Sequence, residues 1–316
     1  MKTLDREVLK KVIPLQDRLE SGHRSCRGCV AVPLAARHVL RAIEGPVVVA
    51  CATGCMEVTT SIYPETSWNV PWIHNTFENV AATLSGVEAS YNVLKKKGKI
   101  SKETTFVAFG GDGGTYDIGL QSLSGMLERG HNILYVCYDN EGYMNTGNQR
   151  SSATPQGAIT TTTPAGKKVP GKKRRRKDLT EVVAGHDIEY VAQSNIAYQQ
   201  DVYNKVKKAL TYKGPKFINI YAPCILGWKV QSDMGLEVAR LATESHFWPL
   251  YEVEQGQYKM TYKPEKQASF DEYLKLQGRF KHLAKPENKK LVQEMKDNID
   301  QKYQYLFKKC DCLGAE

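Results

Sequence analysis

The sequence predicts an α/β fold, a mostly parallel sheet with helices on both faces, followed by a helical C-terminal extension. Three observations carry this. Apolar, β-rich runs at Pro46 to Ala52, Thr104 to Phe109, Asn132 to Asp139, Glu189 to Gln193 and Lys216 to Ala222 each stop at or near a Gly, Asp, Asn or Pro signal, as buried strands do. Helical patterns alternate with them, at Leu34 to Ile43, Thr76 to Lys97, Gly119 to Arg129, Leu179 to Ala184 and Val202 to Thr211, which is the order of a parallel sheet covered on both sides. After residue 230 the pattern becomes helical at Leu236 to Glu244, Phe270 to Leu283 and Glu287 to Lys308, with a polar, Tyr- and Lys-rich stretch between the first two. Residues 1–229 are therefore expected to form one α/β unit and residues 230–316 an extension. Within the first, residues 151–177 lack apolar periodicity and read as a long loop, rich in Thr, Gly, Pro and Lys.

In such sheets ligands sit at the carboxyl ends of the strands. Here those ends carry Cys51 to Cys55, Gly110 to Gly114, Asp139 to Asn145 and Pro223-Cys224, so four strand ends bring plausible chemistry to one edge.

Composition narrows the class. With 41% apolar and 25% charged residues the 316-residue chain is ordinary for a folded protein, which argues against wholesale disorder. No run approaches the roughly 20 apolar residues of a membrane span, and Met1 to Arg6 lacks the apolar core of a signal peptide, so a cytoplasmic location and no membrane partner are expected. The formal charge of +10 suits an acidic partner. Eight cysteines are many for a reducing compartment, where clustered thiols bind metal more often than they pair.

The strand Phe106 to Phe109 leads into Gly110-Gly111-Asp112-Gly113-Gly114, where glycines let the backbone approach phosphate and leave one carboxylate at the strand end. The next strand ends in Asp139-Asn140. Magnesium takes about six oxygen ligands, often a carboxylate, a neutral amide or carbonyl, water and phosphate oxygens; Asp112 and Asn140 supply the first two. A lone Gly-Asp-Gly is usually a tight turn. The pairing with an Asn 28 residues later, across a helix and a strand, resembles the metal signature of thiamin-diphosphate enzymes, and that resemblance adds the Gly142 backbone carbonyl as a third ligand.

Cys26-Arg27-Gly28-Cys29 spaces two thiols so that one turn presents both to a single centre. Redox dithiols share this spacing but open a helix directly after a strand, and no strand is expected before Cys26. Cys55 and Cys224 each sit at a strand end on the ligand edge. Four thiolates can thus close in space around an iron-sulfur cluster, with structural zinc or independent buried thiols as the alternatives. Cys51 and Cys137 lie inside apolar strands and read as small core residues, although Cys51 rivals Cys55 as third ligand. Cys310 and Cys312 are left unassigned.

Taken with Val70-Pro71-Trp72-Ile73-His74, Ala52-Thr53-Gly54-Cys55, Gly111 to Gly119, Tyr138 to Gly147 and Leu274 to Phe280, these motifs resemble the beta subunit of pyruvate:ferredoxin and related 2-oxoacid:ferredoxin oxidoreductases, through nearly the whole chain. The resemblance implies a thiamin-diphosphate-binding fold and oxidative decarboxylation of a 2-oxoacid, pyruvate first, in anaerobic metabolism. Coenzyme A captures the acyl group and electrons pass through a [4Fe-4S] cluster to ferredoxin. It implies cluster ligands Cys26, Cys29, Cys55 and Cys224, magnesium ligands Asp112, Asn140 and Gly142, and a catalytic Asn145 aimed at the substrate or the thiazolium. The implied cofactor contacts are Thr53, Gly54, Cys55, His74, Gly111, Asp112, Gly113, Gly114, Asn140, Gly142, Tyr143, Met144, Asn145 and Thr146. It further implies alpha- and gamma/delta-type partner subunits that supply the catalytic acid, so that the chain alone is inactive. Where many relatives have Gly-Glu after the second cysteine, this chain has Val30-Ala31, and any contact made by that Glu is absent.

His74 and His23 read equally as structural or site histidines, Thr76 as a helix cap and Glu78 as a helix-dipole partner. The basic run from Lys167 to Lys177 lacks interleaved aromatics or a recognition helix, so nucleic acid is disfavoured; it reads as a solvated face, or as a dock for an acidic subunit, ferredoxin or coenzyme A. Rival functions are the same chemistry on another 2-oxoacid such as oxalate, a non-oxidative thiamin-dependent decarboxylase or synthase half, and a non-catalytic electron-transfer or nucleic-acid-binding module.

Overall fold

The computed structural model describes residues 17–166 and 168–311; Met1 to Arg6, Lys167 and Cys312 lie outside the described residues. The strands with apolar residues on both faces form the centre of one sheet: β1 (Val47–Ala52), β3 (Thr105–Gly111), β4 (Ile133–Asp139), β5 (Tyr190–Asn195) and β6 (Lys216–Tyr221). Every residue of β4, β5 and β6 is buried, as expected of parallel strands covered by helices on both sides. A short β2 (Trp72–Asn75) pairs with β1, and an antiparallel hairpin, β7 (Leu250–Glu254) and β8 (Gln257–Tyr262), extends the far edge. The order is β2-β1-β3-β4-β6-β5-β7-β8.

The helices follow the sequence pattern closely. They are α1 (Ala31–Arg41), α2 (Cys55–Thr60), α3 (Val80–Lys96), α4 (Leu120–Glu128), α5 (Leu179–Ala184), α6 (Gln199–Ala209), α7 (Gly235–Glu244), α8 (Phe270–Lys275) and α9 (Lys289–Asp311). On α1 the residues Ala31, Val32, Ala35, Ala36, Val39 and Leu40 are buried, a stripe at helical spacing that faces the core. Asp178 caps α5, its side chain accepting from Glu181 N. The expected cap at Thr76 is not made: α3 begins after Asn79, and Thr76 Oγ1 donates to Asn79 Oδ1 (2.8 Å) and Glu78 Oε1 (3.0 Å) instead.

Two features differ from expectation. The polar Tyr-rich stretch after α7, expected between helices of the extension, is the β7–β8 hairpin, which joins the sheet of the α/β unit. Among its described residues the 151–177 loop contains no helix or regular strand, yet Ser151, Ala153, Thr154 and Lys172 are buried. Among the described residues no helix is long and apolar enough to cross a membrane.

The topology fixes where a ligand can bind. β1 is flanked by β2 on one side and β3 on the other, so the connections leaving β1 and β3 diverge and open a crevice at their carboxyl ends. Registers Cys51 to His74, Cys51 to Phe109, Gly111 to Tyr138 and Asp139 to Tyr221 bring the ends of β2, β1, β3, β4 and β6 level at that crevice. Beneath it lie Trp228, Trp248, Tyr221 and Tyr273, all essentially inaccessible; burial of a large side chain stabilises by about 1.5–3 kcal/mol, which anchors the site's floor.

Candidate functional site

A narrow cleft opens at the crevice, lined by Thr53, Gly54, Cys55, Phe77, Gly111, Gly113, Gly114, Tyr138, Asn140, Gly142, Tyr143, Met144, Asn145 and Thr146. Of the expected cofactor contacts, all but His74 and Asp112 line it. Asp112 is buried just beneath, and His74 stands outside, half-exposed on β2, its Nε2 2.9 Å from Thr53 Oγ1 and stacked on Trp72. Phe77, edge-on to Tyr143, was not foreseen. Asn145 and Thr146 are exposed at the mouth. Gly113 must be glycine because a Cβ there would meet the Tyr143 ring at 2.4 Å.

At the base of the cleft three oxygens converge. The Asn140 side-chain oxygen stands 2.9 Å from the Gly142 carbonyl oxygen and 2.9 Å from Asp112 Oδ1. Magnesium bonds of about 2.1 Å at right angles would separate neighbouring ligand oxygens by about 3.0 Å, so the Asn140 side chain stands at ligand spacing from each of the other two oxygens. Turning the Asn140 amide over would instead make both distances hydrogen bonds from its nitrogen; the oxygen-inward orientation is the one a cation stabilises. Asp112 is oriented by Ser151 Oγ, which donates to Oδ2 (2.5 Å), and by Asn140 N, which donates to Oδ1 (3.2 Å). Burial first, and then the Asp139 carboxylate, push the Asp112 carboxyl well above the usual carboxylate range. A divalent cation reverses both effects by compensating the charge where it is buried.

Below these oxygens runs a buried ionic network. Arg176 donates to Asp139 Oδ2 (2.5 Å) and Glu141 Oε1 (2.6 Å), Arg279 to Glu141 Oε2 (2.5 Å), and Tyr116 OH to Asp139 Oδ2 (2.6 Å). Burial works against both guanidiniums, and the carboxylates override it, holding both above their ordinary pKa. The two guanidiniums thus pair with Asp139 and Glu141, and neither pairs with Asp112, whose charge is left for a cation to compensate.

The cysteines lie on the adjoining side. Cys55 begins α2 on the cleft wall, and Cys224 follows β6 with Gly227 N donating to its Sγ (3.3 Å). Cys26 and Cys29 share a turn closed by Cys29 N donating to Cys26 O (2.8 Å). Gly28 allows that turn: its φ is +73°, and a Cβ would meet Ser232 O at 2.7 Å. Burial raises the Cys55 thiol, and Cys224, Cys29 and Cys26 add to the rise in that order; burial likewise pushes Cys224 up to about 11, with Cys29 and Cys26 adding to it. The four thiols are therefore electrostatic neighbours, although among the described residues no three Cys, His, Asp or Glu side chains form a ready-made metal-binding group. Cys51 and Cys137 are fully buried within strands, as the core reading expected. Cys310 lies on α9, away from this edge.

Residues 50–220 match the family described as thiamine pyrophosphate enzyme, C-terminal TPP binding domain. Pyruvate synthase subunit PorB of Thermotoga maritima is 52% identical, over 97% of this chain and 95% of that protein. The PorB subunit of Methanocaldococcus jannaschii is 49% identical, over 95% and 98%. The chain belongs to the beta subunits of the 2-oxoacid:ferredoxin oxidoreductases. Ketoisovalerate oxidoreductase subunit VorB of Pyrococcus horikoshii, 40% identical over 98% of this chain and 99% of that protein, is a further relative of this beta subunit. The fold is shared with a 2-oxoglutarate:ferredoxin oxidoreductase from Magnetococcus marinus, at 17% identity and a TM-score of 0.54, over 70% of this chain and 79% of that one.

Sequence reasoning passed over three charged residues of this beta subunit: Glu141, Arg176 and Arg279. The basic run is split rather than uniformly solvated. Lys173, Arg174 and Arg175 are exposed, whereas Lys172 and Arg176 turn inward, Arg176 lying 4.6 Å from the Trp248 ring centre. The only available signal was their place beside recognised motifs, Arg279 in Leu274 to Phe280 and Glu141 after Asn140.

Proposed function

We propose that this chain binds thiamin diphosphate through magnesium on Asp112, Asn140 and the Gly142 carbonyl, and a [4Fe-4S] cluster on Cys26, Cys29, Cys55 and Cys224. With partner subunits it then oxidatively decarboxylates a 2-oxoacid, forming acyl-coenzyme A and CO2 and passing electrons to ferredoxin. Bound thiamin diphosphate supplies the carbanion chemistry. The chain's own residues would grip its diphosphate and enclose it between glycines and Tyr143, with Cys55 on the same wall. The placing of Asn140, Gly142 and Cys55 in one cleft, with Asp112 buried just beneath, carries the reading, because it joins a candidate diphosphate-metal site to a thiol in one crevice. Asn145 and Thr146, at the mouth, are positioned to face substrate, with Asn145 in the catalytic role. In this reading residues 1–229 carry the cofactors, and residues 230–316 brace them.

Pyruvate is the favoured substrate, since the relatives at 52% and 49% identity are named pyruvate synthase subunits. The ketoisovalerate relative, at 40% over 98% of the chain, supports a branched 2-oxoacid as the second reading. The test is anaerobic purification of the chain with its partner subunits, measurement of iron, sulfide and thiamin diphosphate per chain, and assay of ferredoxin reduction with pyruvate and 2-oxoisovalerate. Cofactor-replete complex without iron would sink the oxidoreductase reading. Faster turnover of 2-oxoisovalerate would favour the second.

A further inference from the structure

We propose that Arg279, in the helical turn Gly278–Ala284, is a positioning residue for the magnesium site, acting through Glu141 and Trp228; this rests on the reading that Asp112, Asn140 and Gly142 hold the metal. Glu141 sits between two of those ligands with φ of +62°, a left-handed conformation that L side chains avoid. That turn brings the Gly142 carbonyl back to face the Asn140 side chain. Nothing in the Asn140-Glu141-Gly142 sequence favours it, so it must be imposed from outside.

Arg279 imposes it from two sides. Its Nη2 donates to Glu141 Oε2 (2.5 Å), while Arg176 takes Oε1 (2.6 Å), so the wholly buried carboxylate is gripped by two guanidiniums. Its guanidinium carbon lies 3.7 Å from the centre of the Trp228 ring, and Trp228 Nε1 donates to the Asn140 carbonyl (2.9 Å). One side chain thus fixes both the peptide before Glu141 and the carboxylate after it. Gln277 Oε1 in turn accepts from Arg279 Nε (2.9 Å), leaving the guanidinium little freedom. Arginine suits this place because its planar fork can pair with a carboxylate and stack on a ring at once, which an ammonium cannot.

The experiment uses the full chain in complex with its partner subunits, stripped of divalent ions, then titrated with magnesium at fixed thiamin diphosphate. Two readouts are followed: cofactor retained after gel filtration, and ferredoxin reduction. Arg279→Lys keeps the charge and loses the fork. Its magnesium half-saturation should rise about 10- to 100-fold, the usual effect of losing a residue that orients metal ligands, while activity at saturating magnesium returns close to wild type. Unchanged half-saturation with a lowered plateau would mean a purely structural role and overturn the proposal. If Arg279→Lys does not assemble, Trp228→Phe, which keeps a ring and removes the donor to Asn140, is read by the same two outcomes. Failure of the underlying site reading has a different signature: wild type would retain cofactor without magnesium, or Asp112→Asn would bind both normally, and the proposal would fall with it.

Discussion

Ser151 Oγ donates to Asp112 Oδ2 across 2.5 Å, closing the long loop over the carboxylate from behind. The same oxygen accepts from Ala153 N (3.1 Å), so the bond also shapes the loop. A hydrogen bond to a charged group contributes about 1.5–3 kcal/mol, and Asp112 is buried away from bulk solvent. Ser151→Ala should therefore raise the magnesium half-saturation of the complex at least about tenfold, the equivalent of about 1.4 kcal/mol. Cofactor retention against magnesium concentration measures it; wild-type retention would remove Ser151 from the site.

Asp112→Ala and Cys224→Ser should separate the two cofactor sites. The first removes a magnesium ligand and should abolish thiamin diphosphate retention while iron and sulfide per chain stay constant. The second replaces a thiolate by a poor ligand for iron and should lose the cluster and ferredoxin reduction while retaining thiamin diphosphate. Analysis of both cofactors in the two purified variants decides; loss of both in either variant would mean that one site holds the other together.

Gly113→Ala should clash with Tyr143, because the new Cβ would lie 2.4 Å from its ring. Overpacking of a close-packed region typically costs about 1–3 kcal/mol. The variant should unfold at lower denaturant and bind cofactor weakly. Adding Tyr143→Ala should recover stability by opening the space, whereas Tyr143→Phe should not, as it keeps the ring. Equal midpoints for Gly113→Ala and wild type would show that the ring moves freely.

Acid should weaken the fold through His38. This residue on α1 is buried, and burial pushes its pKa down to about 4 from an ordinary 6.5. The unfolded chain therefore binds a proton between those values that the folded chain does not, so the contribution is present above about 6.5 and is lost as pH falls toward 4. A 2.5-unit difference corresponds to about 3 kcal/mol at most. Denaturant unfolding at pH 7 and pH 5 should show a smaller loss for His38→Gln than for wild type. Parallel losses would exclude His38 as the source.

Much of this was legible in the sequence because parallel strands buried on both faces are written as unbroken apolar runs, as in Ile133–Asp139. Strand ends then placed Asp112, Asn140, Cys55 and Cys224 on one edge without any tertiary information. What escaped notice had weak local signals. β2 is four residues long and includes a half-exposed histidine. The β7–β8 hairpin alternates polar and apolar residues, and its turn, Gln255-Gly256, has both φ values positive, at 49° and 79°; this two-residue hairpin signal was obscured by the surrounding Lys and Tyr. Burial of Arg176 and Arg279 was invisible for another reason. A guanidinium is buried only where carboxylates meet it, and those lie 35 to 138 positions away in the chain.

That long separation also bears on synthesis. The parallel strands of the sheet are complete at Tyr221, but Arg279 is 58 residues further on. At about 5–20 residues per second a ribosome delivers it roughly 3–12 s later. Until then Glu141 has only Arg176 to hold it, and the nascent chain has its left-handed turn without the second guanidinium. The turn at Glu141 is thereby braced from both sides only once the polypeptide is nearly finished.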